Sequence, residues 1–150
     1  MMAGEWSPPA SVGAEGKRLQ QRYPATPASV AAVRAALVAF ARRCGVAAET
    51  IDAVALAASE AATNVVVHAY RDAGAPGEIE VTAAMAGQEL WVIVTDAGSG
   101  LRPRSDSPGL GLGLAIIAQV ADGVDLVKPA AGGLELRMRF AVAGEREPNG

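Results

Sequence analysis

Scarcity is the first thing this chain offers. One cysteine, Cys44, in 150 residues excludes an internal disulfide and suits a reducing compartment. It falls at an expected helix end beside Arg42 and Arg43, where a small structural thiol is the plain reading. Aromatic residues are only 4% of a chain that is 51% hydrophobic, so a core has to be assembled from Ala, Val, Leu and Ile. Lysine and arginine form no cluster and the formal net charge is −3, which makes nucleic acid and anionic membrane poor partners. The opening "MMAGEWSPPASVGAEGK" has neither the basic start nor the apolar centre of a signal peptide. The apolar runs read as too short to cross a bilayer. From these absences a soluble, cytoplasmic protein is expected. There is no internal repeat, no HExxH or cysteine pair for zinc, and no Gly-Lys-Ser/Thr phosphate loop.

What is present fits one domain with a real core. Residues 1–17 and the tail 144–150 are rich in Gly, Pro and polar residues and read as flexible ends around a folded unit at 18–143. "RLQQRYPA" reads as a short strand. Thr26-Pro27 then marks a helix start, a capping hydroxyl followed by proline at the first helical position. Val30, Val33, Leu37, Phe40, Ala41 and Cys44 keep helical spacing, and Gly45 is a natural stop. A second helix is expected from about Ala48 to Ala69. "GEIEVTAAMAGQELWVIVTDAG" reads as a hairpin turning near Gly87-Gln88, with Leu90–Val94 as a central strand. After a glycine-laden loop from Asp96 to about Gly111, "LGLAIIAQVA" reads as a third helix. "GVDLVK" and "GLELRMRFAV" close the chain as strands. Hairpin-joined strands favour an α/β (α+β) two-layer sandwich, a mostly antiparallel mixed sheet with helices on one face. An alternating βαβ pattern is missing, which argues against a Rossmann domain.

Within the second helix Glu60, Asn64 and the chain's only histidine, His68, recur at every fourth position and form one row. Ile51, Val54, Ala58, Ala62, Val65 and Ala69 form the core-facing row. Leu56, Thr63 and Val67 leave the remaining side largely apolar, a pattern that predicts burial on more than one side. A buried carboxylate costs several kcal/mol (order of magnitude) unless it is paired, hydrogen-bonded or metal-bound. Two readings of Glu60 stand: a carboxylate reaching solvent or an arginine at a groove edge, or a chemical group. His68 reads as a hydrogen-bonded packing residue.

A second unusual stretch is "VTDAGSGLRPRSDSPGLGLGLAII". Asp96 ends an apolar strand, Gly98 and Gly100 follow, and Gly109, Gly111 and Gly113 alternate with leucines before a helix. Glycines allow close backbone approach, and a helix start offers free N–H groups to phosphate. Taken alone, these glycines also fit a flexible loop tied down by leucines.

In combination, "EAATNVVVHAY", "DAGSG" and "GLGLGLAII" resemble the N-box and the two glycine boxes of the GHKL (Bergerat-fold) ATPase superfamily, and within it the bacterial anti-sigma-factor serine/threonine kinases. The likeness in order and spacing covers roughly residues 19–142, and the short lid between the glycine boxes is similar to these kinases. It implies the Bergerat, histidine-kinase-like ATPase fold, with ATP and Mg²⁺ as cofactors. Glu60 would be the catalytic base and Asn64 the Mg²⁺ ligand. Asp96 would accept a hydrogen bond from the adenine amino group, with Gly98 and Gly100 letting the base lie against the backbone. Gly109, Gly111 and Gly113 would form the phosphate lid, and His68 would be supporting structure. The implied partners are an anti-anti-sigma (STAS-type) protein and a sigma factor, with a homodimer compatible.

Two departures bear on rate. Where the family often carries an acidic-arginine pair, this chain has "DSP" (106–108), with Arg102 and Arg104 nearby. Where the family usually has Gly-Thr, it has Gly132-Gly133. Four functions follow in order: a protein kinase acting on an antagonist protein, a non-catalytic ATP-binding module, a simple ATP hydrolase, and half of a split histidine kinase. The last lacks any phosphoacceptor segment.

Overall fold

The computed structural model describes residues 18–71, 77–97, 108–128 and 134–143. Along the chain run β1 (Arg18–Pro24), α1 (Pro27–Arg43), α2 (Ala48–Arg71), β2 (Glu78–Ala86), β3 (Glu89–Ala97), α3 (Pro108–Val120), β4 (Gly123–Val127) and β5 (Glu135–Ala141). The strands form one sheet in the order β1-β2-β3-β5-β4, antiparallel at every pairing. The largely antiparallel α/β sandwich expected from the hairpin pattern is therefore the observed architecture. Leu90–Val94 does lie in the middle strand. Gly87, at φ 63, and Gln88 make the two-residue turn that sets Ala86 opposite Glu89, a turn whose twist requires positive φ.

Alternation decides the faces of the sheet. Ile79, Val81 and Ala83, Leu90, Val92 and Val94, and Leu136, Met138 and Phe140 are buried in one cluster with the helices. The opposite face is charged. Arg137 contacts Glu135 at 2.6 Å, and Arg139 contacts Glu89 at 3.1 Å while lying over the Trp91 ring. Gly123 sits across from Arg139 in the register, and the guanidinium occupies the space a Cβ would take there.

Helix α1 starts after Thr26 with Pro27 at its first position, as its sequence predicts. The Thr26 hydroxyl does not cap the backbone, however. It lies 3.3 Å from the Ser29 hydroxyl, and the Ser29 N–H donates instead to the Thr26 carbonyl at 2.9 Å. A side-chain partner three residues on has taken the oxygen that the backbone was expected to use. Val33, Leu37, Phe40 and Ala41 face the core.

Helix α2 packs against α1 on one side and α3 on the other. Its small residues Ala57, Ala58, Ala61 and Ala62 are buried there and let neighbouring helices approach. Contrary to the sequence expectation, Ala48–Val67 is long and apolar enough, by length and composition, to cross a membrane; half of it is buried inside this fold. Burial on more than one side, expected from the apolar pattern, is thus observed, and the third side is open: Leu56 is 42% and Val67 45% exposed, and Thr63 is exposed with them. The apolar pattern could not show that only two helices flank α2.

The start of α2 is fixed to one end of the sheet, where Thr50 Oγ1 donates to the Ala141 carbonyl at 3.2 Å and the Ala47 N–H to the Val142 carbonyl at 3.1 Å. From Thr50 to Asn64 the helix rises about 21 Å, close to the length of β5. Glu60 and Asn64 are thereby carried toward the other end of the sheet, where β3 finishes.

Candidate functional site

Asp96 continues the inward row Leu90, Val92, Val94 and so points into the helix-covered side. It is 2% exposed, and its N–H donates to the Leu134 carbonyl at 3.1 Å, which ties the end of β3 to the approach to β5. A carboxylate at the end of an otherwise apolar row is a costly residue to bury. Its position makes it a buried carboxylate near the end of β3, on the helix-covered side of the sheet.

Asn64 lies one turn beyond Glu60 on α2, so both present from the same side. The Asn64 amide nitrogen is fully enclosed and has no acceptor among the described residues. Buried donors are almost always paired, and an orphan costs about 1–3 kcal/mol. Glu60 is half-buried, and among the described residues no arginine or lysine pairs with it.

Of the glycines, Gly113 closes over this amide. A Cβ on Gly113 would stand 2.8 Å from Asn64 Nδ2 and 3.0 Å from Oδ1. The structure departs from the sequence reading over where α3 begins. Gly109, Gly111 and Gly113 lie within the helix, which starts at Pro108 rather than after the glycines. Proline's fixed φ suits a first helical residue, and packing on α2 overrides the poor helix propensity of glycine. The first turns of α3 thus bring their free backbone N–H groups to the region of Asn64.

The structure sets Asn64 against Gly113, keeps Glu60 one turn away on α2 and buries Asp96 near the end of β3. Gly98, Gly100, Arg102, Arg104, Asp106 and Gly132-Gly133 lie outside the described residues. His68 is in the last turns of α2, and its side chain too is outside what is described. Beside Glu60 the structure adds a pair the sequence reading did not name. Ser59 Oγ donates to the Ala55 carbonyl at 2.9 Å and accepts from Arg34 Nη1 at 3.2 Å. The available signal was Arg34 itself, the one charged residue between Pro27 and Phe40.

Among the described residues no three His, Cys, Asp or Glu side chains gather as a metal cage. A single amide at a site with free N–H groups fits a cation that takes most of its ligands from phosphate and water, as Mg²⁺ does. It does not fit zinc.

The histidine kinase-like ATPase domain family matches residues 23–140. The serine-protein kinase RsbW of Bacillus velezensis is 31% identical over 88% of this chain and 90% of its own length. RsbW of Bacillus thuringiensis is 28% identical over 74% of this chain and 78% of its own. Among solved structures, that of the RsbU and RsbW domains of Rv1364c from Mycobacterium tuberculosis superposes with a TM-score of 0.65 at 25% identity. The match covers 83% of this chain and 32% of that longer one.

Proposed function

The chain belongs to the histidine kinase-like ATPase (GHKL) family and groups there with the RsbW anti-sigma-factor kinases, and on that premise we propose that it is an ATP-dependent serine/threonine protein kinase. Its substrate would be an anti-anti-sigma (STAS-type) antagonist, and it would hold a sigma factor in the alternative complex. The observation that carries this reading is the enclosed Asn64 amide with its orphan donor, one helical turn from a half-buried Glu60.

Mg-ATP, when bound, supplies the phosphoryl group to be transferred. Asn64 would hold the cation through its amide oxygen. Asp96 would accept from the adenine amino group, a contact that favours adenine because guanine presents a carbonyl there. Gly109, Gly111 and Gly113 would form the phosphate lid, with the N–H groups of Gly109 and Gly111, free at the helix start, facing the phosphates, and Gly98 and Gly100 would line the base. Glu60 would take the proton from the attacking serine or threonine hydroxyl, a role that needs an ionised carboxylate beside the nucleophile. Partner switching then follows from linkage. Antagonist and sigma factor exclude one another, and phosphorylation weakens one of the two complexes.

Pro108 favours a second reading. As the first residue of α3 it offers neither a guanidinium nor an N–H at a position where a phosphate charge could be neutralised. That is the feature expected of a module that binds ATP to present a partner surface without phosphotransfer. Glu60→Gln separates the two. Labelled-phosphate transfer to a STAS-type protein should fall by about 10²- to 10⁴-fold, while nucleotide and partner binding stay near the parent values. Regulation of the partner that persisted unaltered in Glu60→Gln would sink the kinase reading and leave the module.

A further inference from the structure

Helix α3 comes close to α2 at Gly113. The nearest atoms to a side chain there are those of the Asn64 amide: the hypothetical Cβ lies 2.8 Å from Nδ2, 3.0 Å from Oδ1 and 3.3 Å from Cγ. Real Cβ atoms do not make contacts of 2.8 Å, so with any residue but glycine something has to move. All three neighbours belong to the end of one side chain, not to backbone. The amide would therefore yield, and the helices would stay.

That asymmetry matters because Nδ2 is buried and has no acceptor among the described residues. A free asparagine amide would turn to find one. Here the α3 backbone at Gly113 stands against it, and Ile117, one turn further along α3, is fully buried and fixes the depth of the helix. We infer that Gly113 is a positioning residue: by having no side chain it lets α3 close on Asn64 and holds the amide in the one orientation from which it can serve a bound nucleotide and its cation. Gly113 thus acts through Asn64 and not through its own N–H, which lies beyond the unpaired groups of the helix start. This inference rests on the nucleotide reading of Asn64 proposed above.

The test uses the full chain, with Gly113→Ala, Asn64→Ala and the double variant. First, the side-chain amide resonance of Asn64, identified by its loss in Asn64→Ala, is compared between the parent and Gly113→Ala without ligand. It should shift while the thermal midpoint stays close to the parent's, because only an amide end has to move. Second, binding of a non-hydrolysable ATP analogue is titrated with and without Mg²⁺. Gly113→Ala should lose about 10- to 100-fold of the magnesium-dependent affinity, the range seen when groups supporting a ligand are removed. Binding without Mg²⁺ should change little, whereas general loosening of the helix pair would lower both. The double variant should be no weaker than Asn64→Ala. An unmoved Asn64 resonance, or effects that multiply in the double variant, overturn the inference. A moved resonance in a parent protein whose affinity ignores Mg²⁺ overturns instead the ligand role of Asn64.

Discussion

Asp96, Glu60 and Asn64 are each expensive where they stand, and each expense is read differently. Asp96 is a carboxylate at 2% exposure closing a row of Leu90, Val92 and Val94. In the proposed site its value would be selectivity: a carboxylate acceptor there would attract the adenine amino group and repel the guanine carbonyl, in a class of hydrogen bond that contributes about 1.5–3 kcal/mol. Asp96→Asn, which can turn its amide to suit either base, should weaken ATP binding by roughly tenfold and narrow the gap between ATP and GTP. Competition of the two nucleotides against a fluorescent analogue would read this, and an unchanged ratio would remove Asp96 from the base-binding role. These three residues were legible in the sequence because each interrupts an apolar pattern. Ser59 and Arg34 were not, since a hydroxyl in a helix and a lone arginine on another helix carry no mark of meeting.

Helix ends show where such legibility stops. Gly45 was readable as the stop of α1, and the structure gives its mechanism. At φ 77 its N–H donates to the Arg42 carbonyl at 3.0 Å, and the Val46 N–H donates to the Ala41 carbonyl at 3.1 Å. Those two bonds are the Schellman pattern, and Val46 then enters the core. Nothing lies within 4 Å of a Cβ at Gly45, so substitution there is a backbone matter alone. Gly45→Ala should cost about 1–2 kcal/mol, the penalty of the left-handed region for a residue with a Cβ. A lower urea midpoint with unchanged slope would be the signature, and nucleotide affinity should stay as it was. At α3 the same residue type misled. Gly109 and Gly111 suggested a loop, yet they are helical, because packing on α2 outweighs a propensity deficit of about 1 kcal/mol per glycine. Propensity is local, and the partner that overrides it is more than forty residues away in the chain.

Taken as one body, the domain is fastened at one end and carries the proposed site toward the other. Thr50, Ala47 and Val142 tie the α1–α2 link to the end of β5 and to the turn at Gln88. Toward the opposite end, Asp96 is buried where β3 finishes and Asn64 lies against Gly113 of α3, and the Asn64 amide nitrogen is a buried donor unpaired among the described residues. The antiparallel order and the core faces could be read from the alternation of strands. The open side of α2 could not, because apolar residues such as Leu56 and Val67 look alike whether or not a neighbour covers them. A ligand that completes the unfastened end should stabilise the whole fold by mass action. At a free concentration of 100 times Kd the gain is about 2.7 kcal/mol. For a domain of this size that corresponds to a rise in Tm of roughly 5–10 °C. Thermal unfolding with a non-hydrolysable ATP analogue should show such a rise with Mg²⁺ and a smaller one in EDTA, and Asn64→Ala should bring the two curves together. Absence of any shift at saturating analogue would mean that the unpaired end serves something other than nucleotide.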